Sequence, residues 1–598
     1  MEDQQKERMK AEGAEWAANF FQLADKSQFF FSKLLEKRIP PAALFQMIYF
    51  NQIYQKFLRH LLGKPEKLVD LQLLYWQELF FLWQRFMVTQ PEAPASQEGA
   101  PEDKRFQGEA WLQNPLCHLI KDFYLLHVRH FQALLPLAEG LDAKTTRQIQ
   151  FYLKQIAEAL SPANFAATNP DVWRTTIETH GENLLKGLDH ALDDLQKGEE
   201  FFQIKMTDVA AFEVGKTVAI TPGQVIYQNE IMQLIQYEPQ TKSVFRCPLL
   251  FIPPWINKYY ILDLNPSLSM VNWLVQQGYT VFMISWVNPG ASFAQKDFSA
   301  YLLEGPLAAL DAIEQATGER HVSALGYCVG GTLLSCALAY LAAHQDPRIR
   351  SATYLCALLD FSEPGDLGAL IDENQVEWLE EEMRRKGYYD GREMAATFNL
   401  LRPKELIWSY YIKNYLLGEE PPPHALLFWN NDSTHIPATM HRYYLHEMYL
   451  RNRLKESGAL RLNETPIDLR RVETPAFFVG TLQDHIAPWK SVYAGIKLHS
   501  GPMQFMLAGS GHIAGAINPP EGKKYNYYRN DAVAATAAEW FQAAKEEAGS
   551  WWLSWEKWLR QHSGEKVAAR QVGAGGLPPL EPAPGSYVRV KVAELNAS

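Results

Sequence analysis

The chain has 598 residues, long enough for two or more domains and a large core. Its net charge of −11 excludes wholesale binding to nucleic acid, and its composition is that of a globular protein unusually rich in aromatics. Its five cysteines, Cys117, Cys247, Cys328, Cys336 and Cys356, form neither a disulfide framework nor a metal-ligand spacing, which fits a reducing cytoplasm and predicts no metal.

The N-terminus has no apolar stretch of secretory type, so no export signal is expected. Residues 1 to about 90 read as helical, with apolar positions at helical spacing over 43–58 and again over 71–87. The second stretch is heavily aromatic (Tyr75, Trp76, Phe80, Phe81, Trp83, Phe86), and its face serves either as bundle core or as a surface for a partner. A Pro-rich linker is expected near 90–105. Helical patterns return over 116–135, 144–160 and 172–197, separated by the turn-rich residues 161–170. Residues 1–208 are therefore expected to form an all-α N-terminal domain.

The pattern then changes. Residues 225–237 are rich in β-formers and predict a leading antiparallel hairpin, and short apolar runs at 249–252, 279–285, 322–325 and 351–359 alternate with helical patterns. Such alternation implies a mostly parallel sheet covered on both faces. From about 362 to 474 the alternation lapses, and this insertion reads as a cap that excludes water and gates substrate. Strands resume at 476–479 and 503–507, a helix is expected over 530–548, and Trp551, Trp552, Trp555 and Trp558 follow. The Gly/Pro-rich end, about 572–598, reads as extended or mobile. Residues 209–598 thus form the expected catalytic domain.

Residues 322–343 carry no formal charge and are long enough to span a membrane, but Gly326, Gly330 and Gly331 interrupt the run. Strand, sharp turn and Leu/Ala-rich helix fit better, and no transmembrane segment is expected. Between strand and helix stands Gly326-Tyr-Cys-Val-Gly330, a nucleophile elbow of the α/β-hydrolase fold with Cys in place of Ser. The fold places an acid and then a His after the nucleophile, each at the carboxyl end of a strand. Asp484, after the 476–479 strand, and His512, after the 503–507 strand, fill those places. His512 would take the Cys328 proton and Asp484 would orient the imidazole. His485 is a rival base beside Asp484, and Asp484 has a rival role as a loop cap. The Val329 backbone N–H, at the start of the helix, is one expected oxyanion donor, and the Ile256 backbone N–H, in the loop after residues 249–252, is the other. Cys336 and Cys356 read as buried small apolar residues, and His435 and His441 as solvated or structural. A thiolate exchanges readily with thioesters, which favours acyl transfer over ester hydrolysis.

These motifs taken together resemble the polyhydroxyalkanoate synthases. Gly326-Tyr-Cys-Val-Gly-Gly331 is similar to their lipase-like box, and Asp484-His-Ile-Ala-Pro-Trp489 and Gly509-Ser-Gly-His-Ile-Ala-Gly515 to their acid and His motifs. Residues 253–261 and 280–289 and Leu426-Leu-Phe-Trp-Asn430 resemble further family motifs, and 161–165 with 168–170 the N-terminal signature. The resemblance covers about residues 105–560. It implies polymerisation of (R)-3-hydroxyacyl-CoA, of short chain such as 3-hydroxybutyryl-CoA, into polyester with release of CoA. The CoA thioester is then the substrate, and no cofactor is implied. By the same resemblance Cys328 holds the growing chain, His512 activates Cys328, and Asp484 helps to activate the 3-hydroxyl of the incoming unit, directly or through His512. The enzyme would be a homodimer at the surface of cytoplasmic polyester granules, with Trp429 contributing to dimer contacts. The aromatic surfaces near Trp76 and Trp551 would meet the granule or granule-associated proteins. The sequence does not name the residues that hold the CoA phosphates, and basic side chains such as Lys258 stay open for that role. The rival readings are a thioesterase or depolymerase on the same scaffold, and a non-catalytic granule scaffold.

Overall fold

The computed structural model describes residues 2–37, 41–88, 103–198 and 203–596. The chain forms two compact units, one of Met1–Asp208 with Arg402–Pro423, the other of Val209–Leu401 with His424–Ser598. Up to residue 102, the linker expected near 90–105 lies outside the described residues.

The first unit is helical. Its main helices are α1 (Glu2–Glu36), α2 (Pro41–Leu62), α3 (Pro65–Val88), α4 (Pro115–Leu134), α5 (Ala143–Ala159), α6 (Pro170–Glu178) and α7 (Glu182–Lys197). Their starts follow from capping chemistry. The Asn114, Asp142 and Asn169 side chains each accept N–H bonds from the first turn of α4, α5 and α6, and Pro115 and Pro170 stand where no N–H is needed. The single helix expected over 172–197 is broken, because His180 (φ 50°) and Gly181 (φ 85°) turn left-handed between α6 and α7. Tyr49, Ile53, Phe57 and Leu61 of α2 pack with Ile149 of α5 into a small core. The residues Arg402–Pro423, expected in the cap, complete this unit instead. A Cβ on Gly187 would overlap the Tyr415 carbonyl, so α7 approaches this segment only because residue 187 is glycine. Tyr415 donates to Asp194 (2.7 Å), and Asn183 donates to the Leu416 carbonyl (2.8 Å).

The second unit is built on an 11-stranded sheet. In chain order its strands are β1 (Gly223–Gln228), β2 (Met232–Tyr237), β3 (Leu249–Ile252), β4 (Val281–Trp286), β5 (Val322–Tyr327), β6 (Ile349–Leu355), β7 (Ala476–Thr481), β8 (Met503–Ala508), β9 (Asn526–Asn530), β10 (Lys545–Ala548) and β11 (Glu581–Pro582). They lie in the order β10-β9-β8-β7-β6-β5-β3-β4-β2-β1-β11. From β8 across to β4 every pairing is parallel, and both wings are antiparallel. The central strands β3, β4, β5 and β7 are buried at every position, as a parallel sheet covered on both faces requires. The hairpin expected over 225–237 is β1–β2.

Three expectations fail here. Residues 530–548 are not one helix. The Thr536–Glu539 capping box starts only a short one (Ala537–Ala543), and β10 then pairs with β9. The terminal segment, expected to be extended or mobile, is tied down: β11 pairs with β1, Tyr587 donates to the Asn229 carbonyl (2.7 Å) and Arg589 to that of Val214 (2.7 Å). The tryptophans at 551–558 form no exposed surface. Trp551, Trp552, Trp555 and Trp558 are buried in one core, because helix Trp552–His562 lies against the sheet with the Trp555 indole donating to Thr353 (2.9 Å). By contrast Trp76, Phe80, Phe81 and Trp83 of α3 and Phe20, Phe21 and Phe31 of α1 are exposed. No helix among the described residues is long and apolar enough to cross a membrane.

Trp555 is 0% and Trp76 58% exposed, so truncating the two should differ sharply. Trp555→Ala is expected to destabilise by about 3–5 kcal/mol, and Trp76→Ala by no more than about 0.5 kcal/mol, in urea unfolding followed by far-UV circular dichroism.

Candidate active site

The elbow is where the expected sequence pattern becomes geometry. β5 ends at Tyr327, Cys328 follows with φ 52° and ψ −125°, and helix α8 (Val329–Ala343) begins at once. A side-chain-bearing residue enters positive φ at a cost of about 1–3 kcal/mol. The surroundings impose it: the Cys328 N–H donates to the Leu355 carbonyl on β6 (2.9 Å), while α8 is buried along almost its whole length. The glycines admit the turn. A Cβ on Gly326 would stand 2.5 Å from the Gly331 Cα, and one on Gly330 would overlap the Ile252 and Pro253 carbonyls. Cys328 is part-exposed, whereas Cys117, Cys247, Cys336 and Cys356 are buried.

Asp484 follows β7 and His512 follows β8, adjacent parallel strands that deliver both side chains to one edge of the sheet. His512 Nδ1 lies 2.7 Å from Asp484 Oδ2, and both residues are buried. The other carboxylate oxygen accepts the Ile486 and Ala487 N–H groups, each at 2.9 Å, and the Thr481 hydroxyl donates to Oδ2 at 3.0 Å. Burial works against the Asp484 charge, but the His512 charge and these donors outweigh it and hold the carboxyl below the usual carboxylate range. Burial also disfavours a charged His512, yet Asp484 and the Cys328 sulfur, through charge and hydrogen bonding, push it up to about 10. Asp484 thus pairs with His512 and not with its neighbour His485, whose carbonyl accepts the Asp366 N–H (2.8 Å). The three residues chosen from sequence come together. A sulfur, an imidazole and a carboxylate set together in this way are the groups that acyl transfer through a thiol calls for.

Val329 and Ile256 lie in one buried cluster, and the Gly330 approach sets the Ile256 loop against the first turn of α8. The first N–H groups of α8, that of Val329 among them, have no partner four residues back in the helix.

Three neighbours were missed from sequence. Tyr327 stacks on the His512 ring (centroids 5.5 Å apart) and donates to the His512 carbonyl (3.3 Å). Thr481 holds the carboxylate. Cys356 is buried as expected, but at positive φ, with its sulfur 3.7 Å from the Thr481 hydroxyl and 3.8 Å from the His512 carbonyl. The only local signal for these residues was adjacency to strand ends. Among the described residues, Cys356, Asp484 and His512 are the one group with three metal-ligand atoms within 4.8 Å. An ion there would have to part the 2.7 Å Asp484–His512 pair.

One expected role fails, and one open possibility closes. Trp429 is buried and its indole donates to the Lys258 carbonyl (2.7 Å), so it offers no face for a dimer contact. Lys258 cannot reach CoA phosphates, because its buried ammonium is paired with Asp432 (2.9 Å). His441 is buried against Tyr389 and pushed down to about 3 by that burial, while His435 accepts the Gly391 N–H (2.9 Å). Both are structural and neither is solvated.

Residues 102–274 match the family model described as "Poly-beta-hydroxybutyrate polymerase (PhaC) N-terminus", and residues 248–519 match that of the alpha/beta hydrolase fold. A poly(3-hydroxyalkanoate) polymerase of Methylorubrum extorquens is 46% identical over 537 residues, 89% of this chain and 88% of that protein. The chain belongs to the poly(3-hydroxyalkanoate) polymerase family. Another member, the polymerase subunit PhaC of Cupriavidus necator, is 41% identical over 88% of this chain and 89% of its own length. Among solved structures the chain is similar to an esterase from Exiguobacterium antarcticum (13% identical, TM-score 0.28, covering 49% of this chain and 92% of that one). Membership makes this polymerase an acyl-transferring enzyme on an α/β-hydrolase fold, as the sequence motifs implied.

The His512 shift has a direct consequence for stability. A group whose folded pKa is raised stabilises the fold fully below its unfolded value, near 6.5, and loses that contribution as pH rises through about 10. The gap in unfolding free energy between the unsubstituted chain and His512→Gln is therefore expected to be widest at pH 6 and to shrink steadily up to pH 10.5, measured by urea titration at each pH.

Proposed function

We propose that the chain polymerises (R)-3-hydroxyacyl groups of short chain, such as 3-hydroxybutyryl, from their CoA thioesters into polyhydroxyalkanoate, by covalent transfer through Cys328. The observation that carries this reading is the part-exposed Cys328 at a strained elbow beside the buried His512–Asp484 pair (2.7 Å). His512 takes the thiol proton and the Cys328 sulfur attacks the thioester carbonyl. The resulting oxyanion accepts from the Val329 and Ile256 N–H groups, the bond to the CoA sulfur breaks, and CoA leaves with the proton from His512. The 3-hydroxyl of an incoming unit then gives its proton to His512, and its oxygen attacks the acyl-Cys328 carbonyl. An ester forms as the bond to Cys328 breaks. The lengthened CoA thioester re-acylates Cys328, releases CoA and leaves the chain one unit longer.

A thioester suits this cycle because its energy is close to that of the CoA substrate, so the acyl group is held without falling into a deep well. Asp484 already accepts from Ile486, Ala487, Thr481 and His512, which favours its acting on the 3-hydroxyl through His512 over acting directly. The preference for short side chains is supported by a wall of rings near the thiol. Trp255, Phe361 and Tyr449 each pack against Tyr444, at centroid distances of 5.5, 6.0 and 5.7 Å. Tyr444 belongs to the core cluster against which Cys328 and Tyr449 pack. The scheme needs no cofactor. The working enzyme is proposed as a homodimer at the surface of cytoplasmic polyester granules, where granule-associated proteins would also meet it. The exposed aromatic faces of α1 and α3 are the apolar surface that supports this placement.

Incubation with (R)-3-hydroxybutyryl-CoA, following thiol release and pelleting the product, should give free CoA together with insoluble polyester. Soluble 3-hydroxybutyrate in its place would make the enzyme a thioesterase. Cys328→Ala should lower CoA release by roughly 10³-fold or more, and unchanged turnover would remove the covalent scheme. Deleting residues 1–100 should abolish co-sedimentation with polyester granules, and retained binding would show that the N-terminal aromatic face is not the granule contact.

A further inference from the structure

The loop after β3, Pro253 to Tyr260, is held by side-chain donors at three of its carbonyls. The Trp286 indole donates to the Pro253 oxygen (2.9 Å), the Thr434 hydroxyl to that of Trp255 (3.0 Å) and the Trp429 indole to that of Lys258 (2.7 Å). Asn257 also bridges to Ser433. Ile256, the proposed oxyanion donor, sits in the middle of this stretch.

The Lys258 side chain then runs the other way. It is 4% exposed, and its ammonium meets three acceptors: Asp432 Oδ1 at 2.9 Å, the Val588 carbonyl at 2.7 Å and the Val590 carbonyl at 2.8 Å. An ammonium has three N–H bonds to give, and here each has a partner. Asp432 is itself held by the Tyr260 hydroxyl (2.8 Å), and Asn288 donates to the same Val590 carbonyl (3.2 Å). A charge buried this deeply is tolerated only when fully paired. Two of its three partners belong to the last dozen residues of the chain. Without them the ammonium would keep only Asp432.

We infer that Lys258 is a positioning residue for acyl transfer: its buried ammonium fastens the C-terminal segment, at Val588 and Val590, beneath the loop that presents the Ile256 N–H. The oxyanion donor is in place only when that segment is docked. The inference rests on the reading of Cys328 as nucleophile and Ile256 as donor given above. It makes the chain's last residues part of the catalytic scaffold, though none of them touches the reacting atoms.

The test separates oxyanion support from general damage. Alkylation of Cys328 by iodoacetamide needs the reactive sulfur but forms no oxyanion, whereas transfer from (R)-3-hydroxybutyryl-CoA needs both. Lys258→Met in the full chain, and a chain ended after Gly585, should each lower kcat for CoA release by roughly 10²–10³-fold. KM should change little, and the alkylation rate should stay within about twofold of that of the unsubstituted enzyme. A synthetic peptide of residues 586–598 should restore CoA release to the shortened chain, and should not restore it to Lys258→Met. Normal CoA release from either variant would overturn the inference. So would a fall in alkylation that parallels the fall in acyl transfer, since that would mark structural collapse. If Cys328→Ala itself keeps its turnover, the underlying reading fails instead, and that result is distinct from either of these.

Discussion

The site depends on one backbone constraint. Cys328 is held at positive φ between a strand and a helix that are both buried, and neither can relax without opening the core. The strain lifts the sulfur out of the sheet, and it is tolerable only where neighbouring Cβ atoms are missing. Gly326 and Gly330 are therefore spatial requirements of the turn. The close approach at Gly330 also brings the end of β3, and with it the Ile256 loop, against the first turn of α8. One strained residue thus sets the distance between the nucleophile and the groups that would receive the charge developed by its reaction.

The second constraint is electrostatic. Asp484 is a buried carboxylate, and burial alone would leave it neutral. Its carboxyl is held below the usual range by the His512 charge first, and then by the hydrogen bonds from the His512 ring and the Ala487 and Ile486 N–H groups, while the Thr481 hydroxyl fills a further acceptor position. The Thr481 hydroxyl comes from the last residue of β7, and the N–H groups come from the turn that immediately follows Asp484. The acid is therefore oriented by its own strand end and the turn that follows it. His512 is steadied from other directions, by the Tyr327 ring on its face and the Tyr327 hydroxyl at its carbonyl. Strand order converts this into function, because parallel neighbours must deliver their carboxyl ends to the same edge of the sheet.

Much of this was legible in the sequence, and the physical reasons are specific. Cys328, Asp484 and His512 were readable because a chemical pattern, glycines around a Cys and polar residues after apolar strands, coincides with the only places the fold can use them. The strands 249–252, 322–327 and 476–481 were readable because burial on both faces leaves short continuous apolar runs. What escaped was whatever depends on partners distant in the chain. Lys258 looks like any surface lysine until Val588 and Val590 are placed beside it. The tail looks mobile by composition, and its order comes from pairing with β1, more than three hundred residues earlier. The tryptophans at 551–558 suggest a surface because their helix also carries charged residues, yet the sheet covers their rings. The break at His180–Gly181 was missed because the apolar spacing continues in phase on both sides. Tyr327, Thr481 and Cys356 escaped for a subtler reason: their residue types are ordinary in strands, and only the three-dimensional meeting of strand ends gives them work.

The composition of the helical unit has a consequence for how the protein comes into being. Part of that unit, Arg402–Pro423, is encoded some two hundred residues after the rest. While the ribosome is still making the sheet, α7 is complete but its companion segment does not yet exist. The Asn183 amide and the Asp194 carboxylate, which later bond to Leu416 and Tyr415, then face water, and the groove left open at Gly187 is empty. The helical unit therefore cannot be completed until residue 423 has been made, by which point β1 to β6 of the other unit already exist. A boundary drawn at residue 208 therefore divides the sequence without enclosing the whole of the helical unit.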